Sequence, residues 1–257
     1  MRKGNSLYEQ GFAWWSFAGE HEEEPALLKE ASRIGYRGVD FLPPGLWPAA
    51  RDCGLEVVLA DGHRSLEVGF NDRANHAALH DEVRRSLETA QREGVPWLAV
   101  NAGNRGAASD ADAVGICAEG LAPLAAEAAE ADVGLLLEPL NSKVDHPGNQ
   151  CDRTSWAVAV VDQVGSPALR VLYDVYHMQI MEGDILRTLA RFHDRIGHVH
   201  TAGVPGRHEL DDRQEINWGA VARTLAELGF EGYVTHEFLP RGDVVEALRA
   251  AFAVFAR

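Results

Sequence analysis

The chain has 257 residues, 46% hydrophobic and 25% charged, the composition of a globular protein with a core to bury and not of a disordered one. Its formal net charge of -15, from 39 acidic against 24 basic side chains, excludes the basic footprint of a nucleic-acid binder and opposes an anionic membrane face. Cys53, Cys117 and Cys151 are scattered, odd in number and without C-x-x-C spacing, so they read as buried small hydrophobes in a reducing compartment.

The opening residues, MRKGNSLYEQ, lack the apolar stretch of a signal peptide, and no segment approaches a membrane-spanning run. The expected location is cytoplasmic. The first candidate strand is Gly11–Phe17, and the acidic run Glu20–Glu24 reads as a solvated face or a helix N-terminal charge. Further candidate strands follow at Gly38–Leu42, Leu55–Ala60, Trp97–Val100, Gly134–Leu140, Val171–Tyr176, Ile196–His200 and Gly232–Phe238. Amphipathic segments alternate with them: Ala26–Ile34, His76–Glu93, Ala111–Ala131, Thr154–Val164, Asp184–His193, Trp218–Leu228 and Asp243–Phe255. Strand-then-helix repetition implies parallel pairing with right-handed crossovers.

Glycines punctuate the joints, at Gly35, Gly38, Gly54, Gly94, Gly134, Gly165, Gly229 and Gly232. The near-repeats IGYRGV and LGFEGY mark the same joint in two units. No linker or composition shift splits the chain. Eight repeats in a chain near the roughly 250 residues of a (β/α)8 barrel predict a single-domain TIM barrel over residues 1–257. A doubly wound sheet would advertise a Gly-rich phosphate loop after its first strand, and none follows Phe17.

In such a barrel the chemistry lies at the C-terminal strand ends. The last four strands each end in a potential metal ligand: Glu138 in LLLEPLN, Asp174 in VLYDVYH, His200 in GHVHTAG and Glu237 in VTHEF. These lie about one β/α repeat apart, so consecutive strands deliver them to one point. Three carboxylates and an imidazole suit a hard or borderline divalent ion, Mn²⁺ or Mg²⁺ first, with Co²⁺ and Zn²⁺ also accepted. A single buried carboxylate is more often paired with arginine or backbone amides. Three uncompensated ones at one mouth would repel each other, which favours a shared cation.

The blocks EPLNSKVDHPGNQCDRT, YDVYHMQIMEGD and IGHVHTAGVPGRHELDD, with QEIN, resemble the hydroxypyruvate isomerase family of the xylose isomerase-like TIM barrels, beside the ketose 3-epimerases. The resemblance is dense from about Gly134 to Glu237 and looser before it, through Trp14–Trp15, the GHRS at Gly62–Ser65 and the GNR at Gly103–Arg105. It implies that Glu138, Asp174, His200 and Glu237 hold the metal. It further implies that Glu138 and Glu237 double as the acid–base pair, with His177 and Arg207 contacting substrate. Some members carry glutamine where this chain has His200, and the histidine is closer to the epimerase pattern.

The expected reaction interconverts hydroxypyruvate and tartronate semialdehyde, with a ketose 3-epimerase or another sugar isomerase as the alternative. A small hydroxy-carbonyl acid needs a local cation, for which Arg207 offers a bidentate fork and Lys143 a point charge. His63, after the third strand, is a candidate pocket-lining residue. His198 reads as a hydrogen-bonded core histidine one layer below His200, Glu209 as an orienting neighbour of Arg207, and one of Trp14 and Trp15 as a pocket wall. The oligomeric state stays open, a homo-oligomer included.

Overall fold

The computed structural model describes residues 8–19 and 25–256, so the first seven residues and the acidic run at Glu20–Glu24 lie outside the described residues. Eight strands, β1 (Glu9–Ala13), β2 (Gly38–Asp40), β3 (Glu56–Asp61), β4 (Trp97–Val100), β5 (Gly134–Leu137), β6 (Leu169–Asp174), β7 (Ile196–Thr201) and β8 (Tyr233–His236), follow one another around a closed barrel. β1 pairs in parallel with β2 and β8, β4 with β3 and β5, β5 with β6, and β7 with β8. Between and around the strands run α1 (Trp14–Ala18), α2 (Ala26–Ile34), α3 (Trp47–Asp52), α4 (Arg73–Glu93), α5 (Asp110–Glu130), α6 (Thr154–Val164), α7 (Val175–Met181), α8 (Ile185–Phe192), α9 (Trp218–Glu227) and α10 (Val244–Phe255). The expected (β/α)8 barrel is the fold of this chain.

Chain contacts group into two compact units. One holds the described residues up to Val58 with Asp184–His193 and everything from His198 onward. Its core is aromatic: Phe12 meets Tyr36 edge-on at 5.6 Å, and Tyr36 meets Phe252 at 5.2 Å. The Tyr36 hydroxyl donates to the Leu248 carbonyl at 2.9 Å, so a fully buried phenol keeps a partner. The other unit holds Leu59–Gly183 and Asp194–Gly197. In β5, Leu135, Leu136 and Leu137 are all fully buried, as a strand with sheet neighbours and helices around it demands. On its surface, Arg84 forks onto Glu127 at 2.7 and 2.8 Å, tying α4 to α5.

The glycines punctuate in two ways. Gly35, Gly54, Gly94, Gly165 and Gly229 have positive φ, as turns and helix ends require. Gly38 and Gly134 serve by close approach instead: a Cβ on Gly134 would sit 2.0 Å from the Trp97 ring. Several element limits differ from expectation. The first strand stops at Ala13, and Trp14–Ala18 turns into α1. The sixth runs from Leu169 to Asp174, and α7 begins at once because the Asp174 carboxylate accepts the Tyr176 amide at 2.8 Å. Helices α3 and α7, of six and seven residues, are too short to show a helical period in the sequence.

Candidate functional site

Strand alternation decides which side chains share a face. In β7, His198 and His200 lie two residues apart and are both fully buried, with ring centroids 5.1 Å apart. Register pairs His198 with Tyr233 and His200 with Thr235. Asp40, the last residue of β2, is also fully buried. Its Oδ2 accepts from His198 Nε2 at 2.7 Å and from His200 Nε2 at 3.1 Å, while Thr235 Oγ1 lies 3.0 Å from His198 Nε2. Burial alone would raise the Asp40 carboxyl, but the two imidazoles outweigh it and hold the group below its usual range.

Glu237 follows β8 and carries three partners. Its Oε1 accepts the Trp15 indole N–H at 2.8 Å. Its Oε2 accepts from Arg207 Nη2 at 2.5 Å and lies 3.1 Å from His200 Nδ1. Arg207 also donates Nε to the Glu237 carbonyl at 3.2 Å, and its guanidinium lies 5.3 Å over the Trp15 ring. Arg207 adopts φ 58°, a left-handed conformation that a long side chain seldom takes without tertiary support. Burial alone would raise the Glu237 carboxyl, yet His200, Arg207 and Trp15 together hold it well below its ordinary value. These partners favour the ionised form of Glu237.

Asp174 caps α7 through Oδ1, and its Oδ2 lies 3.5 Å from His177 Nε2. The His177 tautomer follows from its neighbours. The backbone amide of Asn141 points at Nδ1 from 3.2 Å, and Asn141 Nδ2 from 2.6 Å. Asn141 Oδ1 accepts from the Val144 and Asp145 amides at 3.0 and 2.9 Å, which fixes the amide nitrogen as the donor. His177 thus accepts at Nδ1 and, when neutral, carries its proton on Nε2, toward Asp174.

Ligand atoms of Glu138, Asp174, His200 and Glu237 all lie within 4.8 Å of one another. The donor set fits a divalent cation for a reason visible in His200. One imidazole stands between two carboxylates, Asp40 at Nε2 and Glu237 at Nδ1. A neutral ring can donate to only one of them, so the other nitrogen needs a second proton or a metal ion. Burial alone would lower the His200 pKa, but Glu237 and Asp40 outweigh it and push it well above the ordinary value. Without an ion the ring takes the proton; Nδ1, on the Glu237 side, is the nitrogen that would face an ion held with Glu237.

The remaining sequence candidates are placed as follows. His63 is buried, with Nε2 accepting the Asn101 amide at 2.9 Å and the ring edge-on to Phe70. Burial lowers its pKa, which keeps it neutral. Lys143 Nζ donates to the Ile180 and Met181 carbonyls at 2.8 and 3.2 Å, at the end of α7. Glu209 does not orient Arg207: it accepts from the Arg241 guanidinium at 2.8 Å and from the Arg241 amide at 2.6 Å. Trp15 is 40% exposed and reaches Glu237 from α1, whereas Trp14 is core. Asp40 and Asn141 were not foreseen. Asp40 had a signal, an acidic residue ending a strand, but its strand is only three residues long.

Residues 28–256 match the family described as Xylose isomerase-like TIM barrel. The chain belongs to that family. A putative hydroxypyruvate isomerase of Homo sapiens is 31% identical over 240 residues, covering 87% of both chains. A 2-oxo-tetronate isomerase of Cupriavidus necator is 38% identical over 233 residues, covering 85% of this chain and 88% of that one. Among solved structures, an AP endonuclease, family 2, from Brucella melitensis superposes with a TM-score of 0.84 at 26% identity, covering 95% of this chain and 98% of that one. The resemblance to hydroxypyruvate isomerases in the motif blocks thus extends over most of the chain, and this xylose isomerase-like barrel is an isomerase. No helix among the described residues is long and apolar enough to cross a membrane.

Proposed function

We propose that this isomerase interconverts hydroxypyruvate and tartronate semialdehyde at a divalent metal site made by Glu138, Asp174, His200 and Glu237. The observation that carries the reading is the convergence of these four ligand groups within 4.8 Å, with His200 addressed by carboxylates at both nitrogens. Relatives named for hydroxypyruvate isomerase support the substrate. The ion, Mn²⁺ or Mg²⁺ for a mainly oxygen donor set, with Co²⁺ or Zn²⁺ also accommodated, would supply Lewis-acid stabilisation of the oxyanion that develops on the substrate.

The protein's own side chains do the rest. The reaction takes a proton from C3 of hydroxypyruvate, next to the ketone, and returns one to C2, while the hydroxyl proton passes from O3 to O2. Glu138 and Glu237 are the acid–base pair for these carbon proton transfers. Arg207 touches Glu237 and supplies cationic charge for the substrate carboxylate. His177 offers an Nε2–H donor for a substrate oxygen, and His63 is a neutral pocket candidate. Lys143 would have to leave the Ile180 and Met181 carbonyls to bind an anion, which ranks it below Arg207.

A second reading is favoured by one observation, the 38% identity to a 2-oxo-tetronate isomerase. The same acid–base pair then serves a substrate one carbon longer. A panel of hydroxypyruvate, 2-oxo-tetronate and free ketohexoses, run on metal-stripped and metal-restored protein with NMR of the products, separates the readings. Tartronate semialdehyde formed only with metal is expected; turnover of ketohexoses alone would replace the proposal with an epimerase. An abasic DNA duplex in the panel tests the activity named for the Brucella protein, which the net charge of -15 opposes.

A further inference from the structure

A metal-binding imidazole is only as good as the group that holds its other nitrogen. His200 Nε2 lies 3.1 Å from Asp40 Oδ2, and the same oxygen lies 2.7 Å from His198 Nε2. An ionised carboxylate only accepts, so both rings present Nε2–H to it. His198 meets Thr235 Oγ1 at 3.0 Å from that same nitrogen, which ties the lower ring to β8. Phe41, directly after Asp40, takes φ 53° and sets its ring edge-on to His200 with centroids 6.1 Å apart. Three elements therefore converge on the orientation of one ring.

We infer that Asp40 is a positioning residue that holds His200 as the Nε2–H tautomer and aims Nδ1 at the proposed metal, with His198 fixing the shared Asp40 oxygen. The inference rests on the metal reading given above. It gives a role to a carboxylate that is costly to bury: Asp40 has zero exposure, and among the described residues its Oδ1 has no hydrogen-bond partner. Asp40→Asn keeps the shape and removes the charge, so the variant escapes that desolvation cost.

Calorimetric titration of metal-stripped protein with Mn²⁺ tests the inference without reference to turnover. Wild type is expected to bind one ion, and Asp40→Asn to bind it about 10- to 100-fold more weakly, the usual effect of losing an outer partner of a metal-bound histidine. Equal affinities would overturn the inference and leave the metal reading standing. No binding by wild type would overturn both. Two ions in wild type falling to one in the variant would place an ion on Asp40, His198 and His200 themselves, and would also overturn it. A second measurement needs no variant: in ¹⁵N-labelled, Mg²⁺-loaded wild type the His200 ring proton must sit on Nε2. A proton on Nδ1 would sink the inference even if Asp40→Asn failed to fold.

Discussion

The Trp15 indole N–H donates to Oε1 of Glu237 at 2.8 Å, while Arg207 takes the other oxygen at 2.5 Å. Glu237 is thus held in one orientation from two sides by residues far apart in the chain. A hydrogen bond to a charged acceptor is worth about 1.5–3 kcal/mol. Trp15→Phe keeps an aromatic face for Arg207 and removes only that donor. We expect kcat/KM to fall about tenfold or more with little change in melting temperature, because Trp15 is 40% exposed. Unchanged steady-state kinetics would show that the indole bond is idle.

Glu138 and Glu237 carry the proposed proton transfers, so Glu138→Gln and Glu237→Gln should each lower kcat by about 10²- to 10⁴-fold at saturating metal. Each substitution also exchanges a carboxylate of the proposed metal site for a neutral amide, so Mn²⁺ affinity is measured beside turnover. Solvent-deuterium exchange into the substrate adds a finer reading. Exchange that persists in one variant without product assigns proton abstraction to the carboxylate left intact. Near-full turnover in either variant discards the pair.

His200 predicts how metal and protons compete. Its pKa in the metal-free protein lies well above the ordinary value because, although burial opposes it, Glu237 and Asp40 favour the charged ring. That stabilisation is fully present below the unfolded pKa of about 6.5 and is lost as pH rises through the folded value. An ion on Nδ1 must displace a proton. Mn²⁺ binding at pH 7 should therefore release about one proton, and affinity should climb with pH until the ring's folded pKa is passed. Calorimetry in two buffers of different ionisation enthalpy counts the proton; tight binding with no release would put Nδ1 outside the coordination sphere.

The barrel and the four clustered groups were legible because side chains at the C-terminal strand ends gather where a barrel's chemistry lies, and Glu138, Asp174, His200 and Glu237 all lie within one residue of those ends. The reading of His198 as a hydrogen-bonded core residue followed from the same alternation, and the structure gives it Asp40 and Thr235 as partners. What escaped were contacts between distant segments. Nothing local in the sequence joins Asp40 to His198, 158 residues away, or Trp15 to Glu237, 222 residues away. Glu209 misled for the same reason. Closeness in sequence to Arg207 suggested a pair, but the left-handed turn at Arg207 sends its guanidinium to Glu237 and leaves Glu209 to Arg241.

His236 gives the last prediction, on stability. Gln10 Nε2 donates to the Phe252 carbonyl at 3.2 Å, which leaves Gln10 Oε1 to accept from His236 Nε2 at 3.2 Å. Thr201 Oγ1 lies 2.7 Å from Nδ1, so the neutral ring has a partner at each nitrogen. Burial pushes its pKa down to about 3. Below about pH 6.5 the unfolded chain binds a proton that the folded chain refuses, so stability falls as pH drops, by at most about 1.4 kcal/mol per pH unit for this one group. Urea unfolding of the metal-free protein at pH 7, 6, 5 and 4 should show that loss. His236→Asn should be less stable at pH 7, by about 1–3 kcal/mol for the lost ring packing, and flatter across the series. Parallel curves for the two proteins would mean that His236 is not the group that refuses the proton.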